Sequence, residues 1–434
     1  MYDNKNFYTQ QFPYMKPFPT RVFIIEPCLG KMTGHWESHC RRFYQELTRR
    51  GLETTIFCQA DPDPQIVKDL NVVPIFTHSV FNSMPDQQAF ENECDALTAD
   101  LSKINSSTFT SEDLLIFTTI VPSFLKAAMY WLQPIIRPSG PKAAFIFMIS
   151  AGDVSLHYPR FLYQLLKISS FYNPLRKYLI KKLYSWQDSA HINYYRSFQS
   201  AFKQKKAANS YYYFGCCEEF SINFERILNI KAQTLPMINV LSDRPVQKIK
   251  RKEIKIGYFG HASLEKGAQF LHVIVKKMLI KYPHTQFELH INPNIHTEEL
   301  LKAFDLPIPN VRCHHGHLDY PSLVALMQEV DINFLPYTQT KYAAMPSSVF
   351  IEAICSENVV VIPNHTWMAR EAANIQAGYV LFDRYDELTI SNALDIAIEN
   401  YATLKQKTKK AKNTFLEKNN LIKFMDRILQ TMNT

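Results

Sequence analysis

Lys266 is the residue of this sequence whose type and neighbours point most directly to chemistry. It closes the run Ile254-Lys-Ile-Gly-Tyr-Phe-Gly-His-Ala-Ser-Leu-Glu-Lys266, and Gly267 follows it. Gly257 and Gly260 lack a Cβ, so the backbone there can bend and come close to a ligand. Alternating apolar residues over 254–259 predict a half-buried strand. Ser263 is a candidate N-cap, which puts Lys266 in the first turn of the next helix. A cation there opposes the helix dipole, which favours anions. An anion, most simply a phosphate, would complete such a site. The plain alternative is a solvated lysine beside Glu265.

Three further features follow in order. His314-His315-Gly316-His317-Leu318 comes directly after a predicted strand at 311–314. Asp331-Ile-Asn-Phe-Leu-Pro-Tyr337 is next, then Pro346-Ser-Ser-Val-Phe-Ile-Glu352, which leads into the apolar run Val359-Val-Val-Ile-Pro363. Ser347 and Ser348 open a predicted helix, where unpaired N–H groups and the dipole favour an anion. The histidine cluster could suggest zinc, but strand residues alternate faces and no fourth ligand stands out. Asp61-Pro-Asp63 follows a strand and contains proline, so it reads as a turn. No phosphate-loop signature and no serine-nucleophile elbow is present.

The elements that must position these residues alternate between strand and helix. In the first half, strands are predicted at 22–25, 54–58, 72–76, 114–117, 143–149, 211–214 and 234–237, with helices from just after Trp36 to about Arg50 and at 87–103, 123–135 and 220–228 between them. The polar, basic stretch 241–252 contains Pro245 and reads as a linker. The alternation then restarts. Strands are predicted at 254–259, 287–291, 311–314, 332–335 and 359–362, and helices at 264–282, 297–304, 321–328 and 347–355. From Leu388 the chain is helical to its end, with room for one break. The expected fold class is therefore α/β, two Rossmann-like doubly wound domains facing a cleft. Residues 1–19 form an N-terminal tail, 20–240 a first domain, 241–252 the linker and 253–434 a second domain. The last helix is a candidate to pack back on the first domain.

Composition bounds the setting. The chain has 434 residues, 46% hydrophobic and 20% charged, which suits two globular cores and excludes wholesale disorder. No run reaches the roughly 18 uninterrupted apolar residues of a membrane span. The start, Met1 to Pro19, lacks a secretory signal pattern. The eight cysteines are scattered, which fits a reduced cytoplasmic interior. Between Val154 and Cys217 ten Lys and Arg face a single acid, Asp188, an excess larger than the whole chain's net +8. Aromatic residues such as Tyr163, Phe171 and Trp186 interleave with them. A basic, aromatic segment over 160–206 suits an anionic membrane surface or a lipid-phosphate acceptor. A solvated helical face with inward aromatics fits it equally. No nucleic-acid-binding signature accompanies the charge, so nucleic acid is not an expected partner.

Taken together, the four motifs resemble the group 1, family-four-type glycosyltransferases of GT-B architecture, over most of residues 20 to 400. The match is closer in the second half than in the first. The resemblance implies a glycosyltransferase that moves a sugar from a nucleotide-diphosphate sugar to a saccharide or lipid-linked acceptor. It implies retention of anomeric configuration, with neither a metal nor a further cofactor. Residue by residue it implies that Gly260 and Lys266 meet the donor diphosphate, joined by Ser347 and Ser348. Gly316, His317 and Leu318 would meet the nucleobase, and Glu352, as an acceptor-only carboxylate, the ribose diol. Catalytic roles fall to Lys266, His261 and, at the acceptor side, His157, with Gly34, His35 and Asp153 as further acceptor-side residues. Two positions depart from the family pattern. His261 stands where arginine is usual, and Ala344 where the first glutamate of a Glu-x7-Glu pair is usual. Two other readings stay open: a catalytically silent binding protein of the same fold, and a nucleotide-sugar epimerase. The expected location is cytoplasmic, with peripheral attachment to the inner face of the cell membrane.

Overall fold

The computed structural model describes residues 19–31, 34–81, 86–137, 139–148, 154–156, 184–186, 190–199, 210–238, 253–293, 297–316 and 318–432. In the first half the strands are β1 (Arg21–Ile25), β2 (Glu53–Gln59), β3 (Val72–Phe76), β4 (Asp113–Phe117), β5 (Lys142–Phe147), β6 (Val154–Leu156), β7 (Tyr184–Trp186), β8 (Tyr211–Gly215) and β9 (Ala232–Thr234). Seven of them form one sheet in the order β3-β2-β1-β4-β5-β8-β9. Its pairings are all parallel. β6 and β7 make a separate antiparallel pair.

The second half supplies β10 (Lys255–Tyr258), β11 (His261–Ala262), β12 (Gln286–Pro293), β13 (Val311–His315), β14 (Ile332–Phe334), β15 (Val359–Pro363) and β16 (Tyr379–Phe382). Here β13 pairs with β12, β12 with β10, β10 with β14, β14 with β15 and β15 with β16, all parallel. β11 runs beside the end of β12. Both sheets are doubly wound. From β1 the chain builds outward through β2 and β3, then returns to the other side of β1 at β4. From β10 it does the same through β12 and β13 before β14. The reversals create a switch point between β1 and β4 and another between β10 and β14, and ligands of such sheets sit beyond the strands' carboxyl ends there.

Helices on both faces of a parallel sheet bury its strands on both sides, so central strands read as unbroken apolar runs. β4 and β15 are buried along their whole length. So is β10, which is a central strand rather than the half-buried one its alternation suggests. The helices start where side chains can accept from free N–H groups. Asp86, Asp319, Thr366 and Asp386 each cap the helix that follows them. Asp61-Pro-Asp63 stays non-helical, and Asp63 accepts from the Gln65 amide at 2.8 Å to cap the short helix Pro64–Asp69 that follows it.

Other differences are local. A helix at Trp367–Asn374 and the edge strand β16 extend the second sheet beyond the expected elements. The C-terminal helical region breaks twice, into Glu387–Glu399, Tyr401–Lys418 and Leu421–Thr431. The last of these lays Phe424, Met425, Ile428 and Leu429 into the core beside β1 and β2. Phe424 stacks on Phe43 with ring centroids 5.2 Å apart. Asp426 pairs with Arg50 at 2.7 Å. The end of the chain thus closes the core of the first sheet. The linker stretch 241–252, most of the N-terminal tail and most of the basic segment lie outside the described residues.

Candidate functional site

The second sheet's switch point is built by two loops. The first leaves β10 through Phe259 and Gly260, passes β11, and turns through a single 3-10 turn, Leu264–Lys266, before Gly267. The long helix begins only at Ala268. Lys266 therefore belongs to a separate turn, not to the first turn of the long helix as its spacing predicts. Gly267 explains the break. It has φ +77°, and a Cβ there would lie 2.5 Å from the Pro336 carbonyl oxygen. Only glycine lets this turn sit so closely on the second loop. The Thr338 amide, donating to the Glu265 carbonyl at 2.8 Å, ties the two together.

The second loop leaves β14 through Leu335, Pro336 and Tyr337. Tyr337 is 1% exposed, and the Lys266 ammonium lies 5.3 Å from its ring centroid. Lys266 is half-buried by area, yet protein crowds its ammonium enough that burial pushes its pKa down to about 8. Lys341 acts in the same direction and Glu265 against it. Glu265 faces Lys341 at 3.4 Å, and Lys266 makes no ion pair among the described residues. This is not a lysine neutralised by its neighbour. His261 is exposed on β11. Partial burial, then the charge of Lys266, holds its pKa below the usual histidine range.

Ser347 completes this corner. It is buried, and its hydroxyl oxygen accepts from the Phe350 amide at 3.2 Å, capping the helix Ser348–Cys355. Gly260, at φ +104°, faces the same place. A Cβ on it would meet Val349 at 3.3 Å, Lys266 Nζ at 3.4 Å and Tyr337 Oη at 3.9 Å. Ser348 is exposed, and Glu352, one turn further along, is buried. Gly260, Lys266 and Ser347 are thus brought together, with His261 on the adjoining strand. The result is a corner of positive charge and helix N–H groups that can hold an anion.

The remaining residues singled out by sequence fall in other places. Gly316 follows β13. Its amide donates to the Ile291 carbonyl at 3.1 Å, and its carbonyl accepts from His290 Nε2 at 2.8 Å. Leu318 is half-buried, and His317 lies outside the described residues. His314 hydrogen-bonds Glu288, which also takes Lys255 Nζ at 2.7 Å. Gly34 and His35 are the first residues of the helix Gly34–Arg49. Asp153 and His157 lie outside the described residues.

Several groups escaped the sequence reading. Glu26, at the carboxyl end of β1 and 1% exposed, accepts from the Thr118 and Thr119 hydroxyls, each at 2.6 Å, and from the Cys28 amide at 2.8 Å. Burial pushes its pKa up against these hydrogen bonds. It ties the loop after β1 to the end of β4 at the first sheet's switch point. Its one sequence signal is an acid directly after an apolar strand. Between the halves, the Cys217 thiol lies 3.7 Å from the Ala344 carbonyl oxygen, Asn419 accepts from the Met237 amide at 2.9 Å, and Glu219 pairs with Arg370.

Comparison with solved structures gives the architecture independently. Sucrose-phosphate synthase from Thermosynechococcus elongatus superposes with a TM-score of 0.61 at 12% identity, over 95% of this chain and 98% of that one. WaaG, a glycosyltransferase involved in lipopolysaccharide biosynthesis, gives 0.60 at 12% identity, over 95% and 99%. Anabaena HepE in complex with UDP-glucose gives 0.56 at 12% identity, over 95% and 99%. No family model and no curated protein matches the sequence. The fold is GT-B: two Rossmann-like domains facing a cleft.

Proposed function

We propose that this GT-B chain is a glycosyltransferase that takes a sugar from a nucleotide-diphosphate sugar and delivers it to a saccharide or lipid-linked acceptor. The observation that carries the reading is the Lys266 ammonium. It is half-buried, has no carboxylate partner among the described residues, and stands at the switch point beside the Ser347-capped helix. A protein keeps a desolvated cation in this state at a cost, and an anionic ligand offsets it. HepE, of the same fold, holds UDP-glucose, and WaaG takes part in lipopolysaccharide biosynthesis; both support the reading.

The chemistry is departure of the nucleotide diphosphate. Negative charge grows on the phosphate oxygen as the bond to the anomeric carbon breaks. Oriented donors at that oxygen lower the barrier most, because they need no reorganisation as charge develops. Lys266 and the N–H groups of the helix after Ser347 would face that oxygen, with His261 as a further donor. These groups supply the charge that a metal supplies elsewhere, so the donor step is read as metal-independent. Retention of configuration belongs to the same proposal. Ser348 would join the diphosphate contacts. Glu352, four residues on and so on the same helix face, would accept from the ribose hydroxyls. Gly316, His317 and Leu318 would meet the base through their backbone.

The acceptor would enter from the first domain, where Gly34, His35, Asp153 and His157 are the residues to substitute first. The basic segment 160–206 supports an acceptor at an anionic membrane surface. Among the described residues no helix is long and apolar enough to cross a membrane. Neutralising Arg176, Lys177, Lys181 and Lys182 should then abolish binding to anionic vesicles, and binding that persists removes this part of the reading.

Ala344 favours a second reading, a silent sugar-nucleotide-binding protein. The Ala344 carbonyl meets Cys217 and the residue is buried, so this position brings no carboxylate to a sugar. One experiment separates the two: nucleotide release from UDP-, GDP-, dTDP- and ADP-sugars, with thermal shift in parallel. Release from one donor supports transfer, a shift without release at any acceptor concentration supports the silent protein, and neither signal overturns both.

A further inference from the structure

We propose that Tyr337 is a further diphosphate ligand of this site, its hydroxyl donating to a phosphate oxygen that Lys266 also holds. This rests on the donor reading above and adds a residue to it.

Tyr337 follows β14 and so stands at the carboxyl end of a switch-point strand, across from Gly260 on the other. Its ring lies 4.5 Å from that of Tyr342, centroid to centroid, in the apolar cluster that also holds Phe259, Val349 and Phe350. That packing explains the ring but not the hydroxyl. Phenylalanine would fill the same space without burying an O–H group. Buried tyrosine hydroxyls nearly always find a partner, yet Tyr337 Oη makes no hydrogen bond of good geometry among the described residues, and the one group that acts on it at close range is the Ser347 hydroxyl. The phenol lies near Gly260, where a Cβ would come within van der Waals reach of both Lys266 Nζ and Tyr337 Oη. The two polar ends border one spot, beside a residue that carries no side chain.

The ring has a second task. With the ammonium 5.3 Å from its centroid, the face of the ring attracts the cation and restricts where the long lysine chain can go. Ser347 borders the same hydroxyl. Burial pushes the Tyr337 phenol well above its usual range, with the Ser347 hydroxyl acting the other way. The phenol therefore stays protonated at neutral pH and can only donate to an anion. Lysine would give charge, tyrosine a directed O–H, and the Ser347 helix its N–H groups.

Tyr337→Phe tests this, because it keeps the ring and removes only the hydroxyl. Affinities for UDP, GDP, dTDP and ADP are measured by calorimetry for wild type, Tyr337→Phe and Lys266→Ala, with melting of each ligand-free protein. For whichever nucleotide wild type binds, Tyr337→Phe should bind roughly tenfold more weakly or worse, as expected for a lost hydrogen bond to a charged group. Ligand-free Tyr337→Phe should melt at the wild-type temperature or higher, since a buried unmade bond has been removed. Unchanged affinity in Tyr337→Phe beside a clear loss in Lys266→Ala overturns this proposal and leaves the donor reading standing. A wild type that binds none of the four overturns both.

Discussion

Arg370 in the second domain forms an ion pair with Glu219 in the first, and each side chain is only 3% exposed. The pair joins the helix Glu218–Leu228, which follows β8, to the helix Trp367–Asn374, which follows β15. Cys217, two residues before Glu219, makes the contact with Ala344. A buried pair gains little net stability, but removing one member strands the other charge away from water. Arg370→Ala should therefore destabilise the protein by roughly 3–5 kcal/mol, read by chemical denaturation. Replacing both residues by apolar ones of similar volume should recover much of that loss. A double variant as unstable as Arg370→Ala would show that the arginine acts through other contacts.

Gly267→Ala should damage the site through the backbone. The substitution forces a left-handed φ on a residue with a Cβ and drives that Cβ into the Pro336 carbonyl. The left-handed conformation alone costs about 1–3 kcal/mol. Because Lys266 is the preceding residue, relief of the clash moves the ammonium off the Tyr337 face. The expected result is a lower melting temperature together with weaker nucleotide-diphosphate binding. Loss of stability with intact binding would mean that the turn is not what places Lys266.

How much of this was legible beforehand depended on range. Val359-Val-Val-Ile-Pro363 reads as a strand because a central parallel strand is apolar on both faces, a property of those residues alone. The order of strands and helices, and hence the two doubly wound halves, follows from such local runs. The break at Gly267 does not. Helical periodicity continues across it from Leu264, and the carbonyl that leaves no room for a Cβ at Gly267 belongs to Pro336, distant in sequence. Glu26 is similar: an acid after an apolar strand is visible in the sequence, but its partners Thr118 and Thr119 lie just past the end of β4, far from it along the chain. Tyr337 stood within a recognised motif, but an unmade hydrogen bond is visible only once the neighbours are in place.

The pKa of Lys266 sets a pH dependence. Burial holds it at about 8, below the value it would have in an unfolded chain. The unfolded state thus binds the extra proton between those two values, and this residue's contribution to folding stability rises with pH through that window. Anion binding runs the other way, because it needs the ammonium. Affinity for the nucleoside diphosphate should fall as pH rises above about 8, while ligand-free stability does not fall through this group. Lys266→Arg keeps its charge throughout, so its affinity should be flat over that range even if lower overall. A wild-type affinity that is flat across the same range would remove the lysine from the anion site.

Ser347 allows capping and anion binding to be separated. Ser347→Ala removes the acceptor for the Phe350 amide and should cost about 1 kcal/mol of stability. Ser347→Asp supplies another good cap and should come close to wild-type stability. Its carboxylate, however, sits where the phosphate would, beside Tyr337 and within the field of Lys266. It should pair with the ammonium, raise its pKa and exclude the ligand. The two variants therefore separate the roles: Ser347→Ala lowers stability, and Ser347→Asp keeps it while excluding the ligand. If Ser347 serves only the helix, Ser347→Asp will bind nucleotide diphosphates like wild type; if the corner is an anion site, it will melt like wild type and bind them hardly at all.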